Sequence, residues 1–373
     1  MRLLDRYLLR ELLLPLGYCL GGFLIFWISF DLINQVSQFQ KSGLSVKEVA
    51  EFYFITSPEL LLVVMPVALL LALLYALTTH ARYNEFTAMR AAGVSLWRLS
   101  APYFGVGMIF CVAYLALNEL AVPTSVEKSE EILHRHDSGR APGNDLNWRR
   151  DLKFRNARDN RDWWIKSYNL KSSEMQNVVI DWHFSDGTRT VFFAQKGFFF
   201  EGIWRFQNVK QLKYSSRDDI TSTAIATNEL EFSGWAETPA LIKSEIKISS
   251  LNSRQAVKRP QLSIADILNY MHLHPRLDRT TASLVNTQLH GRIAAPVTCL
   301  VVVLIALPFG ATSGRRNVFV GVASSIFICF SYFILLRLGL ALGTGGWLPG
   351  WLAAWLPNIL FGGVAIWMTM RVQ

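Results

Sequence analysis

Six stretches of the chain run for about twenty residues without an Asp, Glu, Lys or Arg, which is the length a helix needs to cross a hydrocarbon layer of roughly 30 Å. They cover residues 12–30, 60–79, 99–118, 293–313, 317–336 and 348–370. Three precede and three follow a long middle segment whose period is different. There, residues 163–170, 178–184, 190–200, 203–214 and 229–232 are short runs rich in Val, Ile, Phe, Trp and Tyr, separated by turn signals such as Asp186-Gly187 and Glu201-Gly202. Strands at this spacing point to a sandwich, a jelly roll or an open barrel. The expected fold class is an α-helical membrane protein with six transmembrane helices (3+3) and an inserted all-β, jellyroll-like domain. The boundaries that follow are 1–121 for the first three spans, 122–255 for the β domain, 256–289 for a connector, and 290–373 for the last three spans. Within the connector, Ser263 is placed to cap a short amphipathic helix over residues 263–270, and Pro275 marks a polar link.

Charge sets the orientation. Arg2, Arg6, Arg10, Arg82, Arg90, Arg98, Arg315, Arg316 and Arg371 fall on one side of the spans, whereas the short loops on the other offer only Lys41 and Lys47. Lys and Arg stay cytoplasmic, so both termini are expected inside and the β domain outside. This topology also accounts for the net charge of +9 without nucleic acid, because the arginines flank apolar runs and form no basic face. The stretch after Arg10 is long for a signal-peptide core and lacks a small-residue cleavage site, so it reads as an uncleaved first span. Cys19, Cys111, Cys299 and Cys329 all lie in apolar runs, with no disulfide or zinc spacing.

The candidate chemistry is concentrated in residues 80–99, HARYNEFTAMRAAGVSLWRL. Glu85, Met89 and Ala92 share one face of a short helix, Gly93 supplies its stop, and Ser95 the cap of the next. Such a helix, joined stiffly to two spans, is suited to receive a push from a cytoplasmic partner. Basic residues near the outer boundary suit an anionic lipid headgroup, which singles out Lys41 after span one, with Asp31 nearby, and Arg337 after span five; interfacial snorkelling accounts for them equally. The aromatic strands, among them Phe198 and Phe200, allow two readings, an ordinary core or a wall for an acyl chain. Pro308 and Pro357 lie within spans, as flexible gates or static bends. His134, His136 and Asp137, and the pair His272 and His274, lack a third well-placed ligand set, and no metal site is expected.

The run Glu85-Phe-Thr-Ala-Met-Arg-Ala-Ala-Gly-Val-Ser-Leu-Trp-Arg-Leu99 closely resembles the coupling-helix motif of the LptF/LptG permease family, the membrane subunits of the lipopolysaccharide exporter. Asp5-Arg-Tyr-Leu-Leu-Arg10, Leu117-Asn-Glu-Leu-Ala-Val-Pro123, Ala306-Leu-Pro-Phe309 and Leu352-Ala-Ala-Trp-Leu-Pro-Asn358 are similar to further family motifs in the same order. The resemblance covers the whole chain and implies a role. A coupling helix over 82–97 would dock on a cytoplasmic LptB-type ATPase dimer through Glu85, Met89, Arg90, Ala91, Gly93 and Ser95. A homologous LptF/LptG subunit would complete a lipid cavity, and LptC/LptA-type bridge proteins would receive lipopolysaccharide from the periplasmic β domain. The chain would then sit in the bacterial inner membrane and hold no cofactor of its own, ATP and Mg being bound by the partner ATPase.

No G-x-x-x-x-G-K-[ST] occurs, so energy for export is expected from a partner. Two alternatives belong to other classes. A lipid- or glycan-modifying enzyme needs a convergent acid, base or nucleophile, for which Glu119 with His134 or His136 are the best candidates. A transmembrane sensor needs a cytoplasmic output domain, and the inner segments are too short for one. Catalytic turnover by the isolated chain, against co-purification of an ATPase, separates these readings.

Overall fold

The computed structural model describes residues 3–133, 148–156, 158–184, 186–214, 222–251, 262–274, 277–311 and 318–372. The chain divides into two compact units, Met1–His134 with Asp278–Gln373, and Arg135–Leu277.

The first unit is helical: α1 (Leu3–Lys41), α2 (Val46–Arg82), α3 (Glu85–Ala91), α4 (Leu96–Ala116), a π-helical turn (Leu117–Ala121), α5 (Val122–Leu133), then α8 (Arg279–Ala311), α9 (Val318–Thr344) and α10 (Gly350–Val372). Six helical segments are long and apolar enough to span a membrane. Each helix runs past its uncharged window at one end or both, where polar residues continue it. Two joints are built alike. At Gly43-Leu44-Ser45 and Gly93-Val94-Ser95 the glycine takes positive φ, and the residue after it returns its N–H to a carbonyl five residues back, Leu44 to Phe39 and Val94 to Met89. This is a Schellman stop, which satisfies the last carbonyls of one helix just before the serine opens the next. Helices α2 and α8 form the centre, with their apolar windows 61% and 67% buried, against 11% for α1 and 17% for α9. Exposed Leu13, Ile25, Phe26, Phe327 and Phe330 leave the outer helices facing lipid or another subunit.

The helix of span three runs past Asn118, where its uncharged window ends. The π turn widens the helix just before Pro123, which has no N–H for the ladder, and the helix then continues to Leu133. Asn118 is buried, not at a water interface, and its carbonyl accepts from Arg292 Nη1 at 3.0 Å.

The second unit holds β1 (Trp148–Asn156), β2 (Arg161–Asn169), β3 (Met175–His183), β4 (Arg189–Phe200), β5 (Ile203–Tyr214) and β6 (Ser222–Ser233), followed by α6 (Pro239–Leu251) and α7 (Ile264–Leu273). The strands pair antiparallel in sequence order as one sheet. Strand β1 and the start of β6 escape the sequence reading because they are polar. The sheet curls. Trp163 on β2 and Trp204 on β5 have ring centroids 6.4 Å apart, although three strand spacings would separate their strands by about 14 Å in a flat sheet. Their shared concave face packs Leu152, Ile165, Val178, Phe192 and Phe206, closed by Leu241 and Ile242 of α6.

A crease also crosses the sheet. The pairing skips Asp151, Lys166, Asn177, Gln195, Asn208 and Asn228, which lie opposite one another from β1 to β6. On alternate strands Asp151, Asn177 and Asn208 take φ of 55°, 52° and 53°. The inward set therefore changes parity along each central strand: Ile165 then Tyr168, Met175 then Val178, Ala194 then Gly197, Phe206 then Val209. Asn and Asp are the side chains that tolerate left-handed backbone, so the crease falls where the sequence permits it. Helix α7 opens at Ser263, whose hydroxyl accepts from the Asp266 N–H at 3.0 Å.

Candidate functional site

Helix α3 is about two turns of helix, seven residues held between two long spans. Phe86 is buried in the helical core, and Met89 and Val94 pack against it. That leaves Thr87, Ala88, Ala91, Ala92 and Gly93 outward, with Tyr83 and Trp97 at either end 65% and 50% exposed. Small side chains between two aromatic ones form a shallow surface that another protein can approach closely. Of the residues expected at a docking surface, Ala91, Gly93 and Ser95 lie on this face. Arg90 is half-buried, and Met89 turns inward.

Glu85 stands at the first position of α3. Its Oε2 accepts from the Tyr7 hydroxyl of α1 at 3.0 Å and lies 2.7 Å from Nδ1 of buried His80 at the end of α2. The Glu85 side chain is 30% exposed, and among the described residues both bonds fall on one oxygen, leaving Oε1 for an incoming donor. A second polar link lies beyond the far end of α3, where Arg98 Nη2 is 2.8 Å from Asp5 Oδ1. Both ends of the segment are thus tied to α1. Tyr7, His80, Asp5 and Arg98 were not singled out from sequence; the signal was the Asp5-Arg-Tyr motif, of which Asp5 and Tyr7 bond to the α3 segment and its flank.

Two of the other motifs, those of Asn118-Glu119 and Asn358, also carry polar ties between helices. Arg292 of α8, itself buried, meets Asn118 and lies 3.6 Å from Glu119. Asn358 of α10 donates to the Ala294 carbonyl of α8 at 2.8 Å and accepts from Tyr332 of α9 at 2.8 Å, and the Tyr332 hydroxyl lies 2.6 Å from that of Thr298. Where no water is available such polar groups must be satisfied within the protein. Glu119 is therefore engaged with Arg292 of a neighbouring span.

Lys41 is exposed in the last turn of α1, and Asp31, two turns and more before it, accepts from Tyr53 of α2 at 3.2 Å. Arg337 is exposed inside α9, which continues to Thr344. Pro308 is buried near the end of α8, and Pro357 lies within α10.

In the β unit, Phe199 joins the core with Trp204, whereas Phe200 is exposed and Phe198 half-buried on the other face. A groove of about 690 Å³ opens at the opposite end of β4, walled by Trp182, Phe184, Phe192, Leu230 and Phe232 together with Lys213 and Tyr214. Phe198 and Phe200 do not line it. The aromatic spacing Trp182-His-Phe184 was the available signal for it. Behind the groove, the Arg161 guanidinium sits 5.0 Å from the Trp182 ring and 4.5 Å from that of Trp235, and Arg161 Nε donates to fully buried Glu237 at 2.8 Å.

His274 lies 2.7 Å from Glu245, joining α7 to α6, and no group of three or more metal-ligating side chains occurs among the described residues. His134, His136 and Asp137 lie outside the described residues. The family model described as "Lipopolysaccharide export system permease LptF/LptG" matches residues 6–371. No curated protein matches the chain significantly.

Proposed function

The chain belongs to the LptF/LptG family of lipopolysaccharide export permeases, and from that premise we propose that its α3 segment docks a separate LptB-type ATPase dimer whose nucleotide turnover drives extraction of lipopolysaccharide. The chain is a multi-pass membrane protein and a transport subunit rather than an enzyme. The observation that carries the proposal is the outward face of α3. It is small and apolar, rimmed by Tyr83 and Trp97, fixed by Gly93, and clamped at both ends to a span. Glu85 presents its remaining oxygen to a cation or amide of the ATPase, because a carboxylate buried at an interface without a partner costs several kcal/mol.

In this reading both termini and α3 are cytoplasmic, the membrane is the bacterial inner membrane, and the β unit is periplasmic. The exposed apolar faces of α1 and α9 meet lipid and a homologous subunit. Lys41 and Arg337 serve the anionic headgroup. The concave aromatic groove of the β unit, rather than Phe198 and Phe200, takes acyl chains on their way to LptC/LptA-type bridge proteins; its aromatic side chains supply the apolar wall, and its two charged residues, Lys213 and Asp186, offset each other. Pro308 and Pro357 are the candidate bends of the gate.

The test is purification from membranes in mild detergent. An LptB-type ATPase and a homologous permease are expected to co-purify with the wild-type chain. The ATPase alone is expected to be lost with Glu85→Ala or Gly93→Val. Its retention at wild-type stoichiometry in both variants would refute the docking assignment.

A further inference from the structure

Two of the polar bonds that hold the α3 segment lead to the same helix, α1. Tyr7 of α1 donates to Glu85 at one end of the segment, and Asp5 of α1 pairs with Arg98 just past the other. His80 holds the same oxygen of Glu85 from α2. The two helices whose side chains hold Glu85 differ in how easily they can follow α3. Helix α2 buries eighteen of its side chains at the centre of the unit and cannot shift without repacking that core. Helix α1 buries four, Leu8, Leu12, Leu16 and Phe39, and packs others such as Leu9, Cys19 and Leu20 only partly against the core. A displacement applied to α3 thus meets a stiff element on one side and a loosely packed one, bonded at two points, on the other.

We propose that Asp5 and Tyr7 are positioning residues that pass displacement of the α3 segment into α1, so that α1 is the span moved when the docked ATPase turns over. The inference rests on the docking of an ATPase under α3. It assigns Tyr7 and Asp5 no contact with that partner. The Tyr7 ring lies 5.8 Å from that of His80, whose centroid is in turn 5.3 Å from that of buried Phe86. Two bonds at separate points fix orientation as well as distance, which a single bond does not. The Asp5 and Arg98 side chains remain 17% and 35% exposed, and an ion pair in such a setting contributes little to folding stability. Its loss is therefore expected to appear in the transfer of motion and not in the folded population.

The experiment uses the assembled transporter, co-purified with its ATPase and reconstituted with lipopolysaccharide, and measures ATP hydrolysed and lipopolysaccharide released to a soluble acceptor. For Tyr7→Phe and Asp5→Arg, release per ATP is expected to fall fivefold or more while the bound ATPase and the melting temperature stay at wild-type values. Arg98→Asp is expected to lose the same ratio, and Asp5→Arg combined with Arg98→Asp to recover it to within twofold. Wild-type release per ATP in Tyr7→Phe and Asp5→Arg would overturn the proposal, as would a double variant no better than Arg98→Asp alone. Absence of any ATPase from the wild-type preparation would remove the docking reading itself, an outcome distinct from either of these.

Discussion

Gly339 of α9 and Ala353 of α10 meet backbone to backbone: a Cβ on the glycine would lie 2.4 Å from the Ala353 carbonyl oxygen. That carbonyl is four residues before Pro357, which has no N–H to offer it, so the proline frees the oxygen and the glycine makes room for it. Gly339→Ala is expected to destabilise the helical unit by about 1–3 kcal/mol through overpacking against a rigid group. Pro357→Ala restores a ladder donor and is expected to cost less. Melting temperatures of the two variants in one detergent test this, and an unchanged value for Gly339→Ala would contradict the close approach.

Much of the architecture was legible because the physics behind it is local. Twenty uncharged residues, or a Gly-x-Ser joint, declare themselves within a window. What was not legible depended on pairs remote in sequence. Arg292 lies just before the uncharged window of span four, so the span reads as free of charge, yet the helix begins thirteen residues earlier and carries that guanidinium to Asn118 of another span. Tyr7 and Asp5 stand in a quoted motif, but nothing near them in the chain shows that their partners are Glu85 and Arg98. The β unit hid its faces in another way. Strict alternation assigns inward residues correctly on one side of the crease and wrongly on the other, so an alternation that starts from Phe192 and Ala194 points to Phe198 and Phe200 where Phe199 joins the core.

Asp278 occupies the N-cap of α8. Its carboxylate accepts from the Thr281 N–H at 3.2 Å and from the Thr280 hydroxyl. The Thr280 and Thr281 bonds to the ionised form hold the carboxyl at about 2, below its ordinary 3.8. A depressed folded value means that the stabilisation is complete above about pH 4 and disappears as pH falls through about 2. The group is exposed, so the effect is that of a cap, on the order of 1 kcal/mol. Amide exchange in the first turn of α8, corrected for intrinsic rate, is expected to accelerate from pH 5 to pH 3. Asp278→Ala should show fast exchange at both values, and a first turn indifferent to this substitution would show that the cap does nothing.

Gly93 has φ of +85° and open space around the position a Cβ would take. The whole cost of a side chain there is backbone strain, about 1 kcal/mol for Ala, more for a β-branched residue, and less for Asn, which visits this region more readily. The order of ATPase retention during co-purification is therefore expected to be Gly, Asn, Ala, Val. Equal retention by Asn and Val would mean that the stop of α3 is not what the partner reads.

Asn177 sits in the middle of β3 with φ of 52°, on the crease that Asp151 and Asn208 share. At an ordinary exposed strand position Val is favoured over Asn by up to about 1 kcal/mol. Here the sign reverses, because left-handed backbone brings a Cβ against the following carbonyl at about 1–2 kcal/mol, and a branched side chain relieves none of it. Asn177→Gly is expected to leave the stability of the β unit within about 0.5 kcal/mol, whereas Asn177→Val lowers it by about 1–2 kcal/mol. Tryptophan fluorescence reads the transition, since Trp163, Trp204 and Trp235 lie together in the core or against it. Urea unfolding of the three proteins gives the comparison. If Asn177→Val were as stable as wild type or more so, β3 would be running straight through this position. The alternation of its side chains would then carry Met175, now buried on the concave face, to the convex one.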